Sequence, residues 1–588
     1  MTRPSLSISQ DGVVAPRLQT RIPPTTLQRW AFVENAVADQ DKPILVDASR
    51  PNECLLSIKD YRQLSQRFAA GLVAAGFEKG QRLLMVSRNS IYCPVAFMGT
   101  VMAGGIYCTA DPAYDEFDLS RVAAHLEPSI VLAAPELALV VSKGLALAKC
   151  VSARLLIFSG GPSHLFKRDT RIQKAEPCSW TSIFAQNHVN QSSFLDAALP
   201  DETDDTIAII HSSGTTGTPK GVQLSHKNYI AACIGHMTRL EREFSVTDSD
   251  WRVLGTLSMH HVLGQRAYGI IFPILSVTTY IATASDYRDV LKFIDELHIS
   301  YAILRSATVT QMAKNAAVTR GYKLESLRRI EACATGLDPS MRRAAEEALS
   351  RHSAVQVAGV WGLTELGLIC GWSLDEKCNN GSVGELHANY EGRVVLSDGQ
   401  VALKAGAAGE IQIRAPSATR GYWRNDEATR ALVREGGWIS TGDLGYFDDS
   451  GKWFIVDRIK DLIKRNGTYI SPSELEGILL EHPHVSDAAV VGVPVDEDEG
   501  PLAFVVPTDA ELLVPAEVED FVNSIVPSYK RLVGGVVLAQ YIPRNAQGKA
   551  KRIELRRLAR DRDRAAKKIG SGLRQEHLQH SLVGVTPV

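Results

Sequence analysis

The stretch SSGTTGTPKGV (212–222) concentrates more chemically useful residues than any other in this chain. Ser212, Ser213, Thr215 and Thr216 supply four hydroxyls, and the glycines let the backbone turn and approach a ligand closely. Backbone N–H groups in such a loop can face phosphate oxygens, and Lys220 adds a mobile positive charge. The pattern is not the GxxxxGK[ST] cradle of kinases and ATPases, because Pro219 stands where that motif needs glycine; it fails GxGxxG as well. The bland alternative is a flexible Ser/Gly linker. A linker needs neither a buried strand before it nor Pro-Lys-Gly at its end, so the loop reads as a phosphate binder.

The elements that must hold this loop alternate along the chain. Tyr61, Leu64, Phe68 and Leu72 recur at helical spacing and predict a helix over 58–76. RLLMVS (82–87) predicts a short buried strand, AFMGTVMAGGIY (96–107) a helix ending at Gly104-Gly105, and SIVLAA (129–134) another strand. Residues 160–204 are irregular and polar. DTIAIIHSS (205–213) predicts the buried strand that runs into the loop. The alternation continues as far as Val456, and a smaller unit follows, with a strand at DAAVVGVP (487–494) and an end near Leu558. Alternating strands and helices predict an α/β sheet covered by helices. A surface turn at Asp448–Gly451 predicts a β-hairpin, Ser473 with Glu476 predicts a capping box, and Lys551, Arg552, Arg556 and Arg557 make the surroundings of Lys549 basic. The tail RDRDRAAKK (560–568) predicts a solvated or frayed helix end.

Composition sets outer limits. The chain has 588 residues, 45% hydrophobic and 22% charged, an ordinary globular balance with room for several folding units. Its net charge of −2 gives no support for nucleic acid as a partner, which would favour a basic face. Nine cysteines are scattered with no CxxC pair, which suits reduced thiols rather than a zinc site. No apolar run reaches the ~20 residues that a bilayer span needs, and no signal-peptide stretch opens the chain.

SSGTTGTPKGV resembles the signature loop of the adenylate-forming superfamily, which includes acyl-CoA synthetases, 4-coumarate–CoA ligases, beetle luciferases and peptide-synthetase adenylation domains. The resemblance continues in order from about residue 30 to 558 through GVWGLTELG (359–367), WISTGDLGYFDDSGKWFIVDRIKDLIK (438–464), RNGTYISPSELE (465–476) and IPRNAQGKAKRIELR (542–556). It implies that Ser212, Ser213, Gly214, Thr215, Thr216, Gly217, Thr218, Pro219, Lys220 and Gly221 hold ATP or AMP, together with Thr335, Gly336, Trp361, Gly362, Thr364, Asp443 and Arg458. Thr364 would bond the α-phosphate and Glu365 would hold Mg²⁺. Trp361, in place of the more usual tyrosine, would stack on adenine. Asp443 would accept both ribose hydroxyls, and Arg458 would contact ribose or phosphate. Lys460 occupies the hinge position, Lys549 the catalytic lysine position, and Lys464, Asn466 and Gly467 the coenzyme A site. SMHHVLG (258–264) resembles the segment before the acyl pocket, with His261 in the catalytic histidine position and His260 replacing an aromatic. His261, Leu263, Ala267 and Ala334 would line that pocket; Leu263 points towards an aliphatic or plain aromatic acid.

The resemblance implies an α/β fold. A large N-terminal domain (29–457) with several sheets and a small barrel would bind ATP and the acid, and a small mobile α+β domain (458–558) would carry the lysine. Residues 1–28 would be a polar lead-in and 559–588 a charged tail. The implied reaction makes acyl-AMP from ATP and a carboxylic acid, then an acyl-CoA thioester. A separate carrier protein is the alternative acceptor, luciferase-like oxidation of the adenylate a more remote one, and a non-catalytic nucleotide-binding regulator the rival from another class. The cytoplasm is the expected compartment; Arg21-Ile22 and Gln28 only partly match a peroxisomal signal, which Pro23-Pro24 spoils.

Overall fold

A computed structural model describes residues 8–160, 179–185, 192–195, 200–212, 220–245, 251–284, 286–350, 354–373, 376, 380–465, 467–495, 498–509, 513–545 and 548–570. The first expected helix forms over Ile58–Ala74. Ser57 and Asp60 close a capping box at its start: the Asp60 N–H donates to Ser57 Oγ (3.1 Å) and the Ser57 N–H to Asp60 Oδ2 (3.0 Å). Leu64, Phe68 and Leu72 are buried along its inner face, each burial stabilising by about 1.5–3 kcal/mol. The Tyr61 hydroxyl on the same face donates to the Gly269 carbonyl at 2.9 Å, which fastens the helix to a segment far along the chain. The next helix spans Cys93–Met102, and Gly104, at φ +75°, turns the chain into strand Ile106–Thr109.

Two large sheets follow from the apolar runs. In one, six strands lie in the order Arg154–Ile157, Ile130–Ala133, Arg82–Val86, Ile106–Thr109, Thr206–Ser212 and Lys220–Ser225, parallel except for the last pair. In the other, seven strands lie in the order Gln356–Gly359, Arg329–Cys333, Tyr301–Arg305, Arg252–Gly255, Thr278–Ile281, Pro43–Asp47 and Leu55–Ser57, again parallel except for the last pair. Parallel strands covered on both faces need apolar residues at every position, which is why RLLMV and IVLA show no alternation.

The part expected to form a small barrel contains a five-stranded antiparallel sheet. Its hairpin turns as anticipated: Trp438–Phe447 pairs with Trp453–Arg458, and Gly451 takes φ +82° at the turn. The segment after Ile463 packs around its own apolar side chains, with Val485–Val495, Asp498–Pro507 and Val536–Leu538 in one sheet and three helices against it.

Three local expectations change. The cap of helix Pro472–Glu481 is Ser471, whose Oγ accepts the Glu474 N–H at 3.2 Å; Pro472 occupies the first turn, where its missing N–H costs nothing. Glu476 is therefore free of capping and pairs instead with Arg552 at 2.6 Å. The last helix, Arg552–Gly570, runs past Leu558. The lead-in is tied down: Val14 is 1% exposed and bridges Gly392, and Leu27 is fully buried. Isolated apolar residues in a polar stretch give no periodic signal, so only the tertiary partner reveals them.

Candidate active site

The parallel strands deliver the named residues to one kind of place, beyond their carboxyl ends, where open α/β sheets form crevices. Strand Arg329–Cys333 leads into Ala334, Thr335 and Gly336. Strand Gln356–Gly359 leads into the hairpin that carries Trp361, Thr364 and Glu365. Strand Arg252–Gly255 leads into His260 and His261, and strand Thr206–Ser212 into the phosphate loop. Ala334 has φ +79°, a conformation that a side chain resists and that folded chains keep mainly where a site requires it. Thr335 and Gly336 are exposed.

Ser213, Gly214, Thr215, Thr216, Gly217, Thr218 and Pro219 lie outside the described residues. The flanks are defined: Ser212 and Lys220 are Cα partners, and Gly221 is packed so tightly that a Cβ would meet Ile209 Cγ2 at 2.8 Å. Lys220 Nζ sits 5.0 Å from the centre of the Tyr422 ring. The Tyr422 hydroxyl in turn donates to Glu365 Oε1 at 2.7 Å. Tyr422 thus couples the end of the loop to the carboxylate, a link the sequence reading missed. Its only local signal was an aromatic pair, Tyr422-Trp423, after Gly421.

Asp443 is 3% exposed and held from two sides. Arg458 Nε approaches its Oδ1 at 2.7 Å, and the Trp361 indole N–H donates to Oδ2 at 2.9 Å. Burial pushes this carboxyl above the usual aspartate range; Arg458, Trp361 and Lys549 oppose the shift. Trp361 therefore does more than offer a ring face: its N–H orients the carboxylate. Thr364 is half-buried in the turn of the hairpin. Gly362 cannot carry a side chain, since a Cβ would meet the Gly367 carbonyl oxygen 2.4 Å away.

Lys549 arrives from the C-terminal segment on a tight turn. Its N–H donates to Asn545 Oδ1 (2.9 Å), the Asn545 N–H donates back to the Lys549 carbonyl (2.9 Å), and Gly548 holds φ +82°. Arg544 anchors the turn to Asp487 at 2.6 Å. The turn abuts the end of strand Tyr301–Arg305: a Cβ on Gly548 would lie 3.6 Å from Arg305 Cδ. Burial and then Arg458 push the Lys549 ammonium below the usual lysine value, while Asp443 and Glu365 pull it back. Lys549 also acts on His261, whose imidazole is held well below its ordinary value first by burial, then by His260 and Lys549. A neutral His261 can orient a carboxylate without adding charge.

The remaining residues spread more widely. Leu263 is half-buried and Ala267 fully buried on the helical segment after His261. Lys460 lies in a single turn, Ile459–Asp461, directly after Arg458. Lys464 and Gly467 sit on the hairpin Ile463–Arg465/Thr468–Ile470, with Gly467 at φ +73° and no heavy atom within 4 Å of where its Cβ would be. Asn466 lies outside the described residues. The structure thus gathers Trp361, Glu365, Asp443, Arg458, Lys549 and His261, and sets Lys464 and Gly467 on an exposed hairpin of their own.

The chain is similar to known proteins over most of its length. The chain is 32% identical over 506 residues to 4-coumarate–CoA ligase-like 2 of Arabidopsis thaliana, covering 84% of each chain. It is 30% identical over 558 residues to phenylacetyl-CoA ligase epaB of Aspergillus niger, covering 92% of this chain and 97% of that one. ATP-bound MatB from Rhodopseudomonas palustris has the same fold, with TM-score 0.77 at 24% identity over 91% of this chain and 99% of the other. Residues 32–423 match the family described as AMP-binding enzyme, and residues 474–549 match its C-terminal domain, so the chain belongs to the AMP-binding enzyme family.

Proposed function

We propose that this chain is an acid–thiol ligase that uses ATP to convert a carboxylic acid to acyl-AMP and then transfers the acyl group to coenzyme A. The observation that carries the reading is that Lys549, from the C-terminal segment, sits on a turn that abuts Arg305 and lies within electrostatic reach of Asp443, Glu365 and His261, which come from three separate parts of the rest of the chain. Attack of a carboxylate on a phosphate brings two anions together. A lysine between them lowers the repulsion and stabilises the charge that builds at the α-phosphorus. Pyrophosphate leaves in this step. In the second step the thiolate of coenzyme A attacks the mixed anhydride and AMP leaves.

In this reading Asp443 receives the ribose hydroxyls on its remaining lone pairs, Arg458 fixes that carboxylate, and Thr364 with residues 212–221 holds the phosphates. Thr335, Gly336, the Gly362 backbone and the Trp361 ring bound the adenine. Leu263, Ala267 and Ala334 line a site for an aliphatic or plain aromatic acid. Unit 458–558 turns about Lys460 between the steps, and Lys464, Asn466 and Gly467 meet the coenzyme A arm. Glu365 fits Mg²⁺: it is buried, one oxygen takes the Tyr422 hydroxyl, and Mg²⁺ commonly binds one or two carboxylates plus substrate phosphates. The ion would neutralise phosphate charge there. Among the described residues no helix is long and apolar enough to cross a membrane. The described cysteines are unpaired thiols, which supports the cytoplasm as the working compartment.

Purified chain with ATP, Mg²⁺ and a panel of acids, with and without coenzyme A, tests the reading through pyrophosphate release and thioester mass. A thioester supports it; acyl-AMP and pyrophosphate without thioester move the acceptor to a carrier protein. Two variants sharpen the assignment. Asp443→Asn keeps the shape but removes the charge facing the ribose, and is expected to raise the KM for ATP about tenfold or more, the effect of losing a charge-assisted hydrogen bond. An unchanged KM removes Asp443 from the nucleotide site.

Lys314 tests closure. Its ammonium donates to the His482 carbonyl (3.2 Å) and the Val485 carbonyl (2.8 Å), bridging a helix that runs Ser306–Lys314 to the C-terminal segment. Burial pushes its pKa down to about 8. Lys314→Met is expected to slow acyl-AMP formation by about tenfold or more, at least the value of one bond from a charged group, and to leave thioester formation from supplied acyl-AMP unchanged. Equal slowing of both steps would show that Lys314 does not favour one arrangement over the other.

A further inference from the structure

Residues 419–423 stitch the hairpin that carries Glu365 to the strand that leaves the phosphate loop. At one end the Thr419 N–H donates to the Glu365 carbonyl at 2.8 Å. At the other, the Trp423 N–H donates to the Gly221 carbonyl (2.7 Å) and the Gln223 N–H to the Gly421 carbonyl (3.0 Å). Tyr422 lies between these bonds in an antiparallel bridge with Val222, close after Lys220 in the chain. The backbone alone therefore holds the segment, which leaves the Tyr422 side chain available for another task.

That side chain meets one charge at its hydroxyl and another at its ring face. The hydroxyl donates to Glu365 Oε1 at 2.7 Å, and Lys220 Nζ lies 5.0 Å from the ring centre. Tyr422 is 8% and Glu365 9% exposed, so their bond is shielded from water. The phenol is also within electrostatic reach of Arg458, the partner of Asp443.

Among the described residues no carboxylate pairs with Lys220, and no other side chain donates a hydrogen bond to the Glu365 carboxylate. A direct pair between Lys220 and Glu365 would occupy each charge with the other. The phenol takes the place of that pair. As a donor it engages one carboxylate oxygen and leaves the lone pairs of Oε2 open. Its ring face attracts the ammonium without neutralising it.

We propose that Tyr422 is a positioning residue for the phosphates of ATP: it orients the Glu365 carboxylate and keeps the Lys220 ammonium from pairing with it, so that the carboxylate serves a divalent cation and the ammonium serves the phosphates. The inference rests on the ATP-binding reading of the site and deepens it. Tyr422 acts through Glu365 and Lys220 and adds no covalent step. Its hydroxyl and its ring have separate tasks, so two substitutions separate them.

Calorimetric titration of the full chain with ATP, in Mg²⁺ and in EDTA, is the test. Tyr422→Phe keeps the ring and removes the hydroxyl. It is expected to weaken ATP binding in Mg²⁺ by about tenfold or more, the effect of losing a hydrogen bond to a charged group, and to leave binding in EDTA at the parent value. Tyr422→Leu removes the ring as well, and is expected to weaken binding in EDTA by about twofold or more, the least that a lost cation–π contact is worth. In a Glu365→Gln background, Tyr422→Phe is expected to add no further loss, because the charge it orients is gone. Unchanged binding of Tyr422→Phe in Mg²⁺ overturns the hydroxyl's role. Equal weakening in Mg²⁺ and EDTA, or a full further loss in the Glu365→Gln background, makes Tyr422 a structural support and overturns the assignment as well. Parent-like binding of Tyr422→Leu in EDTA overturns the hold on Lys220. A parent chain that binds no ATP in Mg²⁺ overturns the ATP-binding reading itself.

Discussion

Lys549→Ala is expected to slow acyl-AMP formation by about 10²- to 10³-fold, the usual cost of removing one preorganised charge from a polar transition state. The fold should survive the change. The turn that presents Lys549 is held by Asn545, Gly548 and the Arg544–Asp487 pair, none of which uses the lysine side chain. The ammonium is also out of favour where it sits: burial and Arg458 oppose its charge more than Asp443 and Glu365 support it. Phosphates and a substrate carboxylate would add the missing negative charge, so the lysine gains its full effect when both anions are bound. The decisive measurement separates the two steps. Pyrophosphate release should fall steeply, and thioester formation from supplied acyl-AMP should not. Unchanged pyrophosphate release would remove Lys549 from the chemistry; equal losses in both steps would make it structural.

The sequence disclosed the parts of this site that are local and withheld those that depend on distance along the chain. Buried strands such as RLLMV and IVLA are short apolar runs, legible because a parallel sheet leaves no polar face. The helix Ile58–Ala74 shows its periodicity and its cap within eighteen residues, Ser57 to Ala74. By contrast, Trp361 and Asp443 are 82 residues apart and Tyr422 and Glu365 are 57 apart, so their hydrogen bonds leave no local pattern. Ser471 and Ser473 are both sensible caps by composition; Pro472 decides between them, because it is best placed in the first turn. The burial of Arg266 against Tyr229 and Gly367 leaves no local pattern either, because an arginine after Gln265 has the composition of a surface position.

Glu331→Gln is expected to destabilise the large sheet region by about 3–5 kcal/mol, because it strands buried charges rather than removing them. Glu331 lies on strand Arg329–Cys333, fully buried beside Ile303 and Ala358 of the neighbouring strands. Arg239 Nη2 approaches its Oε1 at 2.5 Å, and His236 Nε2 lies 4.0 Å from its Oε2. Arg239 and Arg329 both donate to the Trp372 carbonyl, at 2.7 and 2.8 Å, so the two guanidinium groups meet at one carbonyl oxygen, and Arg239 also holds the Glu331 carboxylate. His236 and His387 stack nearby, and burial holds both well below their ordinary values, so neither replaces the lost anion nor adds a cation. Burial alone would raise the Glu331 carboxyl, but Arg239, Arg329 and Tyr301 outweigh it and hold it below the usual glutamate value. A carboxyl held low contributes its stability above the unfolded value of about 4.3 and loses it as pH falls through the lower native value. The variant should therefore unfold at lower urea than the parent at neutral pH, with the gap closing in acid. Glu331→Met combined with Arg239→Met should recover part of the loss, since removing both partners of a buried pair costs less than removing one. A gap that persists unchanged through acid would mean that Glu331 acts by shape and not by charge.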